Sequence, residues 1–544
     1  MIRINQIKMP VSHTNESVMR KAAGILHIKE KDILSFQIIK KSIDARKKPE
    51  IFIIYVVDVE IENEERILRR VKGTQVQKVE EKAYRFPNPG KTPLCSRPVI
   101  IGTGPAGLFC GYFLALHGYR PILFERGKTV EARTKDVEEF WRNNSLHTDS
   151  NIQFGEGGAG TFSDGKLNTL VKDKNGRNKE VLRVLAESGA PEEIMYESKP
   201  HIGTDILTAV VKNMREKIIS LGGEVRFESK ITDIFIENGR VKEVVVNDKE
   251  HIKADIVVLA IGHSARDTFR MLYEHDVPMD AKAFAVGLRV EHPRRMINKA
   301  QYGIEENELL PSADYKLTAQ STDGRGVYSF CMCPGGYVVN ASSETGRLAI
   351  NGMSYSKRNG DNSNSAIIVA VTPEDFESEH PLAGIEFQQK LEENAYKAGQ
   401  GKVPVETYGD FKNAVTGEYQ QQPSVITNEY PDFMPTIKGE YIFAPVHDIL
   451  PNTLNIAFIE GMEQFGKVIS GFNDSGVYVS GVESRTSSPV RIHRDETGQS
   501  SIKGLYPCGE GAGYAGGITS AAMDGILIAE KIAGRYYMNN VKGQ

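Results

Sequence analysis

A glycine-rich turn at residues 102–107, with the sequence GTGPAG, constrains the fold of this chain more than any other feature. It directly follows a short apolar run at residues 98–101, which predicts a buried strand, and it precedes a helix predicted over residues 106–117. A second apolar run, at residues 121–124, predicts another strand. Strand, turn, helix and strand in this order predict a βαβ unit of a doubly wound α/β fold.

The spacing of the glycines in this turn fits the pyrophosphate of a dinucleotide. Gly102 allows the tight turn, Gly104 lets the backbone approach the pyrophosphate, and Gly107 lets the helix pack closely on the sheet. The helix N-terminus, at Pro105 and Ala106, presents unpaired N–H groups and the positive end of a dipole to the phosphates. We therefore predict that these five residues bind a dinucleotide.

The end of the second strand supports this prediction. Glu125 stands where a carboxylate accepts hydrogen bonds from a ribose 2′-hydroxyl, and its charge disfavours a 2′-phosphate. Arg126 follows it and belongs to the same predicted cofactor site. The alternative is a turn that only packs a helix on a sheet, but it does not explain why strand, helix and acid all occur at the expected positions.

A C-terminal segment, residues 504–525, decides between NAD and FAD. A strand that ends at Gly509 and Glu510 is followed by a glycine-rich loop, and a helix begins near Ile518, after Gly517. This segment resembles the C-terminal flavin-binding motif of the glutathione-reductase-type flavoproteins. In that superfamily the acid bonds the ribityl and pyrophosphate part of FAD, and the helix N-terminus faces the pyrimidine edge of the flavin. FAD is therefore the predicted cofactor.

Weaker similarities to the same superfamily extend the predicted FAD site. Residues 151–166 are similar to the loop along the isoalloxazine, and residues 254–262 are similar to the strand that ends in an Ala-Thr-Gly element. Arg133 stands where this superfamily often has an arginine near the pyrophosphate, and an exposed helix arginine is the alternative. The further residues of the predicted cofactor site are Arg133, Gly157, Gly158, Lys166, Ile231, Ala260 and Gly262.

Most of the chain resembles the uncharacterised bacterial FAD-dependent dehydrogenases, a family of NAD(P)/FAD-dependent oxidoreductases. The resemblance depends on the loops above and on residues 199–205, 334–336 and 481–489. It implies an oxidoreductase that transfers a hydride through flavin to or from a small-molecule substrate, but it names no substrate. No second GxGxxG follows a strand, so NAD(P)H is left as a transient electron donor rather than a second bound cofactor.

The length of 544 residues suggests about three domains. Residues 1–92 are predicted to form a small N-terminal α+β domain that ends in a proline-rich linker at residues 86–93. Residues 96–280 and 481–544 form the predicted Rossmann-type FAD-binding domain. Residues 281–480, where helices are expected to be scarce, form an inserted, mainly antiparallel β (α+β) domain over the cofactor.

Proton transfer is expected from imidazole or phenol groups near the flavin, because imidazole titrates near neutrality and a phenol can donate a proton. The predicted catalytic residues are His263, His201 and Tyr514, each with a structural role as the alternative. Cys110 lacks the partner that a disulfide reductase of this superfamily would carry. Cys331 and Cys333 favour a structural turn, because two ligands do not make a metal site.

Three basic residues remain open between two roles. Arg289, Arg485 and Lys166 are candidates for binding an anionic substrate or the flavin phosphates. Ion pairs within the protein are the alternative.

Composition and charge leave few other partners. The chain is 40% hydrophobic and 25% charged, with a net charge of -4, which gives no reason to expect nucleic acid or a membrane. Its longest apolar runs, such as residues 51–57, are too short to cross a bilayer. No secretory signal or lipidation motif is present and the five cysteines are scattered, so we expect a cytoplasmic protein.

The N-terminal domain leaves one competing function open. Residues 1–92 hold 19 Lys and Arg against 12 Asp and Glu, so their charge is +7. Such a charge can bind the phosphates of RNA or DNA. Interspersed acids and few aromatic residues disfavour this, and a solvated face or a domain packed on the FAD domain is the simpler interpretation. A flavin-binding protein without catalysis is the other alternative. The basic cluster is formed by Lys40, Lys41, Arg46, Lys47 and Lys48.

Overall fold

The computed structural model describes residues 1–71, 73–80, 83–418 and 424–538. Its buried apolar residues form separate cores for the N-terminal domain, for the two faces of a parallel sheet and for the inserted domain. The predicted mixed α/β fold is confirmed. Among the described residues, every helix falls short of the length and apolar character that crossing a bilayer requires.

The N-terminal domain contains a four-stranded antiparallel sheet. Its elements are β1 (Ile2–Pro10), α1 (Asn15–Leu26), β2 (Ile33–Lys47), β3 (Glu50–Ile61), α2 (Glu64–Arg70) and β4 (Val76–Lys78). The strand order is β2-β3-β1-β4. Inward-facing residues alternate along β1 and β3, so one face of the sheet is buried against α1. The sequence predicts α1, β2 and β3 but not the short α2.

The edge strand β2 joins this domain to the rest of the chain. The backbone N–H of Lys41 donates to the Tyr196 carbonyl at 2.7 Å, and the N–H of Ser198 donates to the Lys41 carbonyl at 2.8 Å. Lys48 Nζ donates to the Ala300 carbonyl of the inserted domain. Main-chain hydrogen bonds therefore cover part of the edge that β2 would otherwise expose.

The first part of the FAD-binding domain contains the predicted βαβ unit. Its elements are β5 (Thr92–Leu94), β6 (Val99–Ile101), α3 (Pro105–Leu116), β7 (Ile122–Phe124), α4 (Val130–Asn143), α5 (Arg177–Glu187), α6 (Thr204–Ser220), β8 (Glu224–Arg226), β9 (Ile231–Glu237), β10 (Arg240–Val246), β11 (Glu250–Lys253), β12 (Val257–Leu259), α7 (Arg266–Glu274) and β13 (Met279–Ala281). The predicted linker at residues 86–93 is non-helical, but its last residues, from Thr92, begin β5.

The inserted domain has more helix than the sequence analysis expects. Its elements are β14 (Phe284–Pro293), α8 (Arg294–Tyr302), β15 (Thr318–Gln320), β16 (Gly326–Cys333), β17 (Tyr337–Asn340), β18 (Ile350–Met353), β19 (Asn362–Val371), α9 (Ala383–Ala398), β20 (Val403–Thr407), α10 (Tyr408–Thr416), α11 (Val425–Glu429), β21 (Ile437–Lys438), β22 (Tyr441–Phe443), α12 (Asn452–Gly466) and β23 (Tyr478–Glu483). The expectation of scarce helices is wrong, because α9 and α12 each bury an apolar face against the sheet.

A seven-stranded, mainly antiparallel sheet carries this domain, in the order β15-β16-β19-β14-β23-β20-β22. β23 is antiparallel to β14, and its pairing continues to Glu483. The predicted boundary between residues 480 and 481 therefore falls inside a strand, and it is wrong by at least three residues. The glycines and small residues around Ser480 suggest a loop in the sequence, but the hydrogen bonds to β14 come from a distant segment.

The chain then returns to the FAD-binding domain. The last elements are β24 (Val490–Ile492), β25 (Leu505–Pro507), α13 (Ile518–Arg535) and β26 (Tyr536–Met538). The parallel sheet has the order β25-β12-β6-β7-β8, and α3 and α13 pack together on one of its faces. The two segments predicted to form the Rossmann-type domain thus share one sheet, whose carboxyl ends meet at a single edge.

Candidate functional site

A cavity of about 640 Å³ lies at the carboxyl edge of the parallel sheet and extends to the inserted domain. Loops of the FAD-binding domain form most of its wall, and the inserted domain supplies the rest. Ligand sites in doubly wound folds lie at this edge, because loops and helix N-termini converge there. The inserted domain contributes Lys316, Phe330, Cys331, Asn351, Gly352, Glu483, Arg485 and Thr486.

The N-termini of two helices open into this cavity. α3 begins after Gly104 and α13 begins after Gly517, and neither glycine provides a side-chain cap. The first N–H groups of a helix lack partners within the helix, and the helix dipole places partial positive charge there. Two anionic groups can therefore bind at these two points, as the sequence predicts for the pyrophosphate and the pyrimidine edge of FAD.

Glycines keep this part of the cavity free of side chains. A Cβ placed on Gly262, Gly516 or Gly517 would have no protein atom within 4 Å. A Cβ on Gly104 would come no closer than 3.9 Å to Gly158 Cα. These atoms would project into the cavity, because the glycines form part of its wall. The residues therefore fit a bulky phosphate-containing cofactor, which needs close contact with the backbone.

Glu125 connects the loops that surround the predicted phosphate site. Its Oε2 accepts hydrogen bonds from Thr103 N at 3.0 Å and Thr103 Oγ1 at 2.7 Å. Its Oε1 accepts from Gly127 N and Gly155 N, both at 3.0 Å. The carboxylate is nearly buried but remains on the cavity wall. It fixes three loops at once, and its predicted bond to a ribose hydroxyl stays a prediction.

Arg133 is buried beneath the loop at residues 151–158 rather than on the cavity wall. Its guanidinium donates to the carbonyls of Asn151, Ile152 and Glu156 at 2.6–2.8 Å, and a longer bond of 3.3 Å reaches Gly155. The prediction of a direct contact with the pyrophosphate is therefore corrected. Arg133 uses its donors to shape the loop, and this long-range arrangement has no local signal in the sequence.

Two further buried arginines, Arg266 and Arg485, lie at the junction of the two domains. Both donate two hydrogen bonds to the carboxylate of Glu392 in α9, at 2.8–2.9 Å. Glu344 accepts another bond from Arg266 at 2.9 Å. Arg266, Arg485 and Glu392 are almost fully buried. Arg485 therefore forms an ion pair within the protein, which is the alternative given for it above, and this ion pair holds it at the cavity wall.

Most of the predicted cofactor residues line the cavity. Those on its wall are Gly102, Gly104, Pro105, Ala106, Glu125, Arg126, Gly158, Lys166, Ile231, Ala260, Gly262, Glu510, Gly517 and Ile518. Three predicted glycines lie behind the wall, where there is no room for a side chain. A Cβ on Gly107 would meet Gly102 O at 1.9 Å, one on Gly157 would meet Thr161 Oγ1 at 2.1 Å, and one on Gly509 would meet Ala106 Cβ at 2.6 Å.

Of the three predicted catalytic residues, only His263 lies on the cavity wall. His263 Nδ1 is 3.4 Å from Glu510 Oε1, and its Nε2 is buried with no partner among the described residues. His201 is tied to the Ser356 carbonyl at 3.1 Å, behind the wall. Tyr514 has the Arg494 guanidinium 3.7 Å from its ring centre. The prediction that His201 and Tyr514 are catalytic residues is therefore corrected, because neither side chain reaches the cavity directly.

Glu483 lines the cavity, but the sequence did not single it out as a site residue, and it lies within the family segment at residues 481–489. It is buried, and its Oε2 accepts a hydrogen bond from Arg289 Nε at 3.0 Å. Arg289 is itself fixed by the Cys331 carbonyl and by Asn364. Burial raises the pKa of Glu483. Its neighbours in space come from β14 and β16, so spacing along the chain could not reveal this carboxyl group.

The two cysteines of β16 lie beside this group. Cys331 lines the cavity, and the Cys333 thiol donates to the Cys331 carbonyl at 3.2 Å. Desolvation by the surrounding protein raises the pKa of Cys331 to about 12 and that of Cys333 to about 11, so both are protonated thiols. Within the described residues, no group of His, Cys, Asp and Glu side chains is arranged to hold a metal ion.

Comparison with known proteins identifies the relatives of this chain. An uncharacterised protein of Clostridium beijerinckii is 46% identical over 540 residues, which cover 98% of this chain and 99% of the clostridial protein. The chain belongs to the family of this clostridial protein. Residues 283–486 also match the model of the "FAD-dependent protein, C-terminal domain-like" family. FAD is therefore its cofactor, and the matched range ends beyond β23, as the sheet pairing does.

Two further models match other parts of the chain. Residues 100–150 match an NAD(P)-binding Rossmann-like domain, and this range contains the predicted fingerprint. Residues 1–60 match a domain of unknown function, which covers most of the N-terminal sheet. The three matched ranges thus fall in three different sheets, the N-terminal sheet, the parallel sheet and the seven-stranded sheet.

Solved flavoproteins show a more distant similarity. A flavin-dependent brominase is 12% identical, covering 80% of this chain and 79% of that chain, with a TM-score of 0.35. An L-proline dehydrogenase from P. horikoshii is 13% identical, covering 82% of this chain and 94% of that chain, with a TM-score of 0.33. Similarities this low carry no argument about the reaction of this family.

Proposed function

We propose that the chain is an FAD-dependent oxidoreductase that transfers a hydride between flavin and a small molecule bound against the inserted domain. The observation that carries this proposal is the continuity of the cavity. It is one continuous space that extends from the N-termini of α3 and α13, each of which follows a glycine, to polar side chains of the inserted domain. Its volume of about 640 Å³ is typical of cofactor and substrate sites.

The residues around the cavity have distinct proposed roles. When bound, FAD supplies the hydride transfer. The N-terminus of α3 would hold the pyrophosphate, and the N-terminus of α13 would stabilise negative charge at the pyrimidine edge. Glu510 would bind the ribityl part, and Arg126, fixed by two bonds to Asp267 at 2.9 and 3.1 Å, would complete the adenosine side of the site.

We assign proton transfer to His263 and Glu483. His263 Nε2 is buried with no hydrogen-bond partner among the described residues, Glu483 accepts from Arg289 through its Oε2, and both residues line the cavity. A buried carboxyl group with a raised pKa holds a proton closer to neutral pH, which is what a general acid requires. His201 and Tyr514 would act only through their neighbours.

Flavin reduction tests the proposed activity directly. Anaerobic mixing with NADH or NADPH should bleach the flavin absorbance, and a panel of unsaturated or carbonyl-conjugated metabolites should restore it. NAD(P)H is proposed only as a transient donor. If no donor bleaches the flavin and no acceptor restores it, the chain is a flavin-binding protein without this activity, and the oxidoreductase proposal fails.

The cofactor site has its own test, the change Gly104→Val. The valine methyl groups would enter the cavity instead of clashing with protein, so we expect a folded, colourless protein that binds FAD at least a hundredfold more weakly. Gly534→Val in α13 is the matched control, because a Cβ there also has no atom within 4 Å and the site lies outside the cavity wall. Equal flavin content in the two variants would contradict the predicted pyrophosphate site.

The contacts of the basic N-terminal cluster support domain packing rather than RNA binding. Lys41 Nζ bonds Glu197 at 2.8 Å, and Arg46 bonds its neighbour Asp44 at 2.7 Å. Lys48 bonds a carbonyl of the inserted domain. We therefore expect no gel shift of RNA or DNA at micromolar protein. A shift that weakens with added salt would restore the nucleic-acid alternative.

A further inference from the structure

The wall that the inserted domain contributes to the cavity carries a lysine beside an aromatic ring. Leu317 N donates to Ser329 Oγ at 2.7 Å, and Ser329 N donates to the Leu317 carbonyl at 2.9 Å. This antiparallel pairing places Lys316 opposite Phe330, and both line the cavity. Lys316 forms no ion pair or hydrogen bond with any described residue, so its charge is available to a ligand.

The carboxylates on this side of the cavity already have arginine partners. Asp164 is buried, and it accepts two hydrogen bonds from Arg358 and one from Ser354. Glu483 accepts from the fully buried Arg289. Each of these two carboxyl groups therefore already has an arginine as its hydrogen-bond donor, and neither needs a lysine as its partner.

Lys166 lies on the opposite loop, near the same wall. Its Nζ is 3.7 Å from Asp164 Oδ2, which Arg358 already binds. The positive charge of Lys166 acts on the thiol of Cys331, the residue after Phe330. Four cationic side chains, those of Lys166, Arg289, Lys316 and Arg358, thus face the two carboxyl groups of Asp164 and Glu483, and Lys166 shares Asp164 with Arg358.

Two titratable groups respond to this excess of positive charge. Although burial opposes ionisation of Asp164, Lys166 and Arg358 hold the pKa of this carboxyl below its ordinary value. Burial lowers the pKa of His201, and the charges of Arg358 and Lys166 lower it further. An anion that entered the cavity here would therefore meet a positive potential in a partly desolvated space.

We propose that Lys316 and Lys166 form an anion subsite that binds the carboxylate of an aromatic or conjugated substrate, with its planar part against Phe330. The inference depends on the proposed function in one respect, since the planar part is then the group that the flavin oxidises or reduces. It narrows the substrate from small molecules in general to unsaturated carboxylic acids. A neutral molecule of the same shape would leave Lys316 without a partner and Lys166 with only its shared contact to Asp164.

The test uses the full-length FAD-bound protein with benzoate and benzamide as probes. The two have nearly the same shape, but only benzoate is charged. Calorimetry and the flavin absorbance should give a benzoate Kd roughly tenfold lower than the benzamide Kd, because a charge-assisted bond replaces a neutral one. Added salt should weaken benzoate alone. Lys316→Met should bring the two Kd values close together.

Lys357→Met is the matched control, because Lys357 is exposed in the same domain, lies outside the cavity wall and carries the same charge. It should leave the preference for benzoate intact. Equal Kd values for the two probes in the unmodified protein, or an equal effect of both lysine variants, would overturn the subsite. If NADH reduces the flavin while the preference is absent, only the subsite fails. If the preference depends on Lys316 while no flavin reduction occurs, only the oxidoreductase proposal fails.

Discussion

Two sets of buried arginines support the walls of one cavity, and they are stabilised in different ways. Arg133 lies below the loop at residues 151–158, and all its hydrogen bonds to described residues go to main-chain carbonyls. Arg266 and Arg485 share the carboxylate of Glu392 at the domain junction. The first arrangement fixes the path of a loop, whereas the second holds two domains together through one negative charge.

Removal of the shared charge should have the largest effect. Glu392→Gln leaves the buried Arg485 without an ionised partner and leaves Arg266 with only the more exposed Glu344, and breaking a buried pair costs about 3–5 kcal/mol. We expect a loss of this size in the free energy of unfolding, measured by urea denaturation of the FAD-bound protein. Glu393→Gln on the same helix is the control, because Glu393 is 42% exposed in its pair with Arg347. Equal losses of unfolding free energy in the two variants would show that the Glu392 ion pairs at the domain junction stabilise the protein no more than an exposed ion pair does.

Arg133→Lys should have an intermediate effect that appears in cofactor binding. A lysine keeps the charge but cannot donate to four carbonyls in a fixed plane, so the loop at residues 151–158 loses its support. We expect about 2 kcal/mol lower stability and a roughly tenfold weaker FAD affinity, measured by flavin fluorescence. Arg142→Lys, at an exposed position of the same helix, should change neither quantity. Unchanged FAD affinity in Arg133→Lys would contradict the proposed support.

A smaller effect of opposite sign is expected at Glu156, which lies within the same loop. Burial raises the pKa of Glu156 from its ordinary value to about 7. The protonated form therefore favours the fold, and this stabilisation is lost as pH rises from about 4.5 to 7. Glu156→Gln should remove the loss, so it should be about 1–2 kcal/mol more stable than the parent at pH 8 and nearly equal to it at acidic pH.

Glu131 provides the comparison for this pH dependence, because Arg215 donates both to Glu156 at 2.9 Å and to Glu131 at 3.0 Å. Partial burial opposes ionisation of Glu131, but the hydrogen bond from Arg215 lowers the pKa of this carboxyl group to about 2. Its ionised form favours the fold, so Glu131→Gln should lower stability at neutral pH and lose its effect in acid. Urea denaturation from about pH 2 to pH 8 measures both variants across both titrations. The same sign for both would show that Arg215, rather than burial, controls Glu156.

The parts of the fold that the sequence predicts are those set by neighbouring residues. The turn around Gly104 and the start of α13 at Ile518 have strand, glycine and helix signals within a few positions, and the structure has both. The bonds of Arg133 and Glu483 join segments far apart in the sequence, so their roles could not be read from spacing. The boundary near Ser480 failed for a related reason, since pairing with β14 outweighs a local preference for a loop.

Helices α9 and α12 of the inserted domain are also not predicted from the sequence, and the reason is again long-range contacts. α9 and α12 are amphipathic, but Gly, Asn and Gln interrupt their apolar faces, as at Gln388 and Asn455. Those two polar side chains are buried because they bond carbonyls of other segments, Ser484 and Leu450 among them. Their polarity therefore reflects tertiary hydrogen bonds, which a one-dimensional pattern counts as solvent exposure.

The packing of α3 against α13 also has a consequence for synthesis. α3 is buried along almost its whole length, and α13, which covers it, is synthesised only after the whole inserted domain. The inserted domain can therefore complete its own core while the apolar surface of α3 is still uncovered. A nascent or truncated chain in this state would expose the apolar surface of α3 and an incomplete nucleotide-binding site. Exposed apolar surface of this kind promotes aggregation, which chaperones prevent.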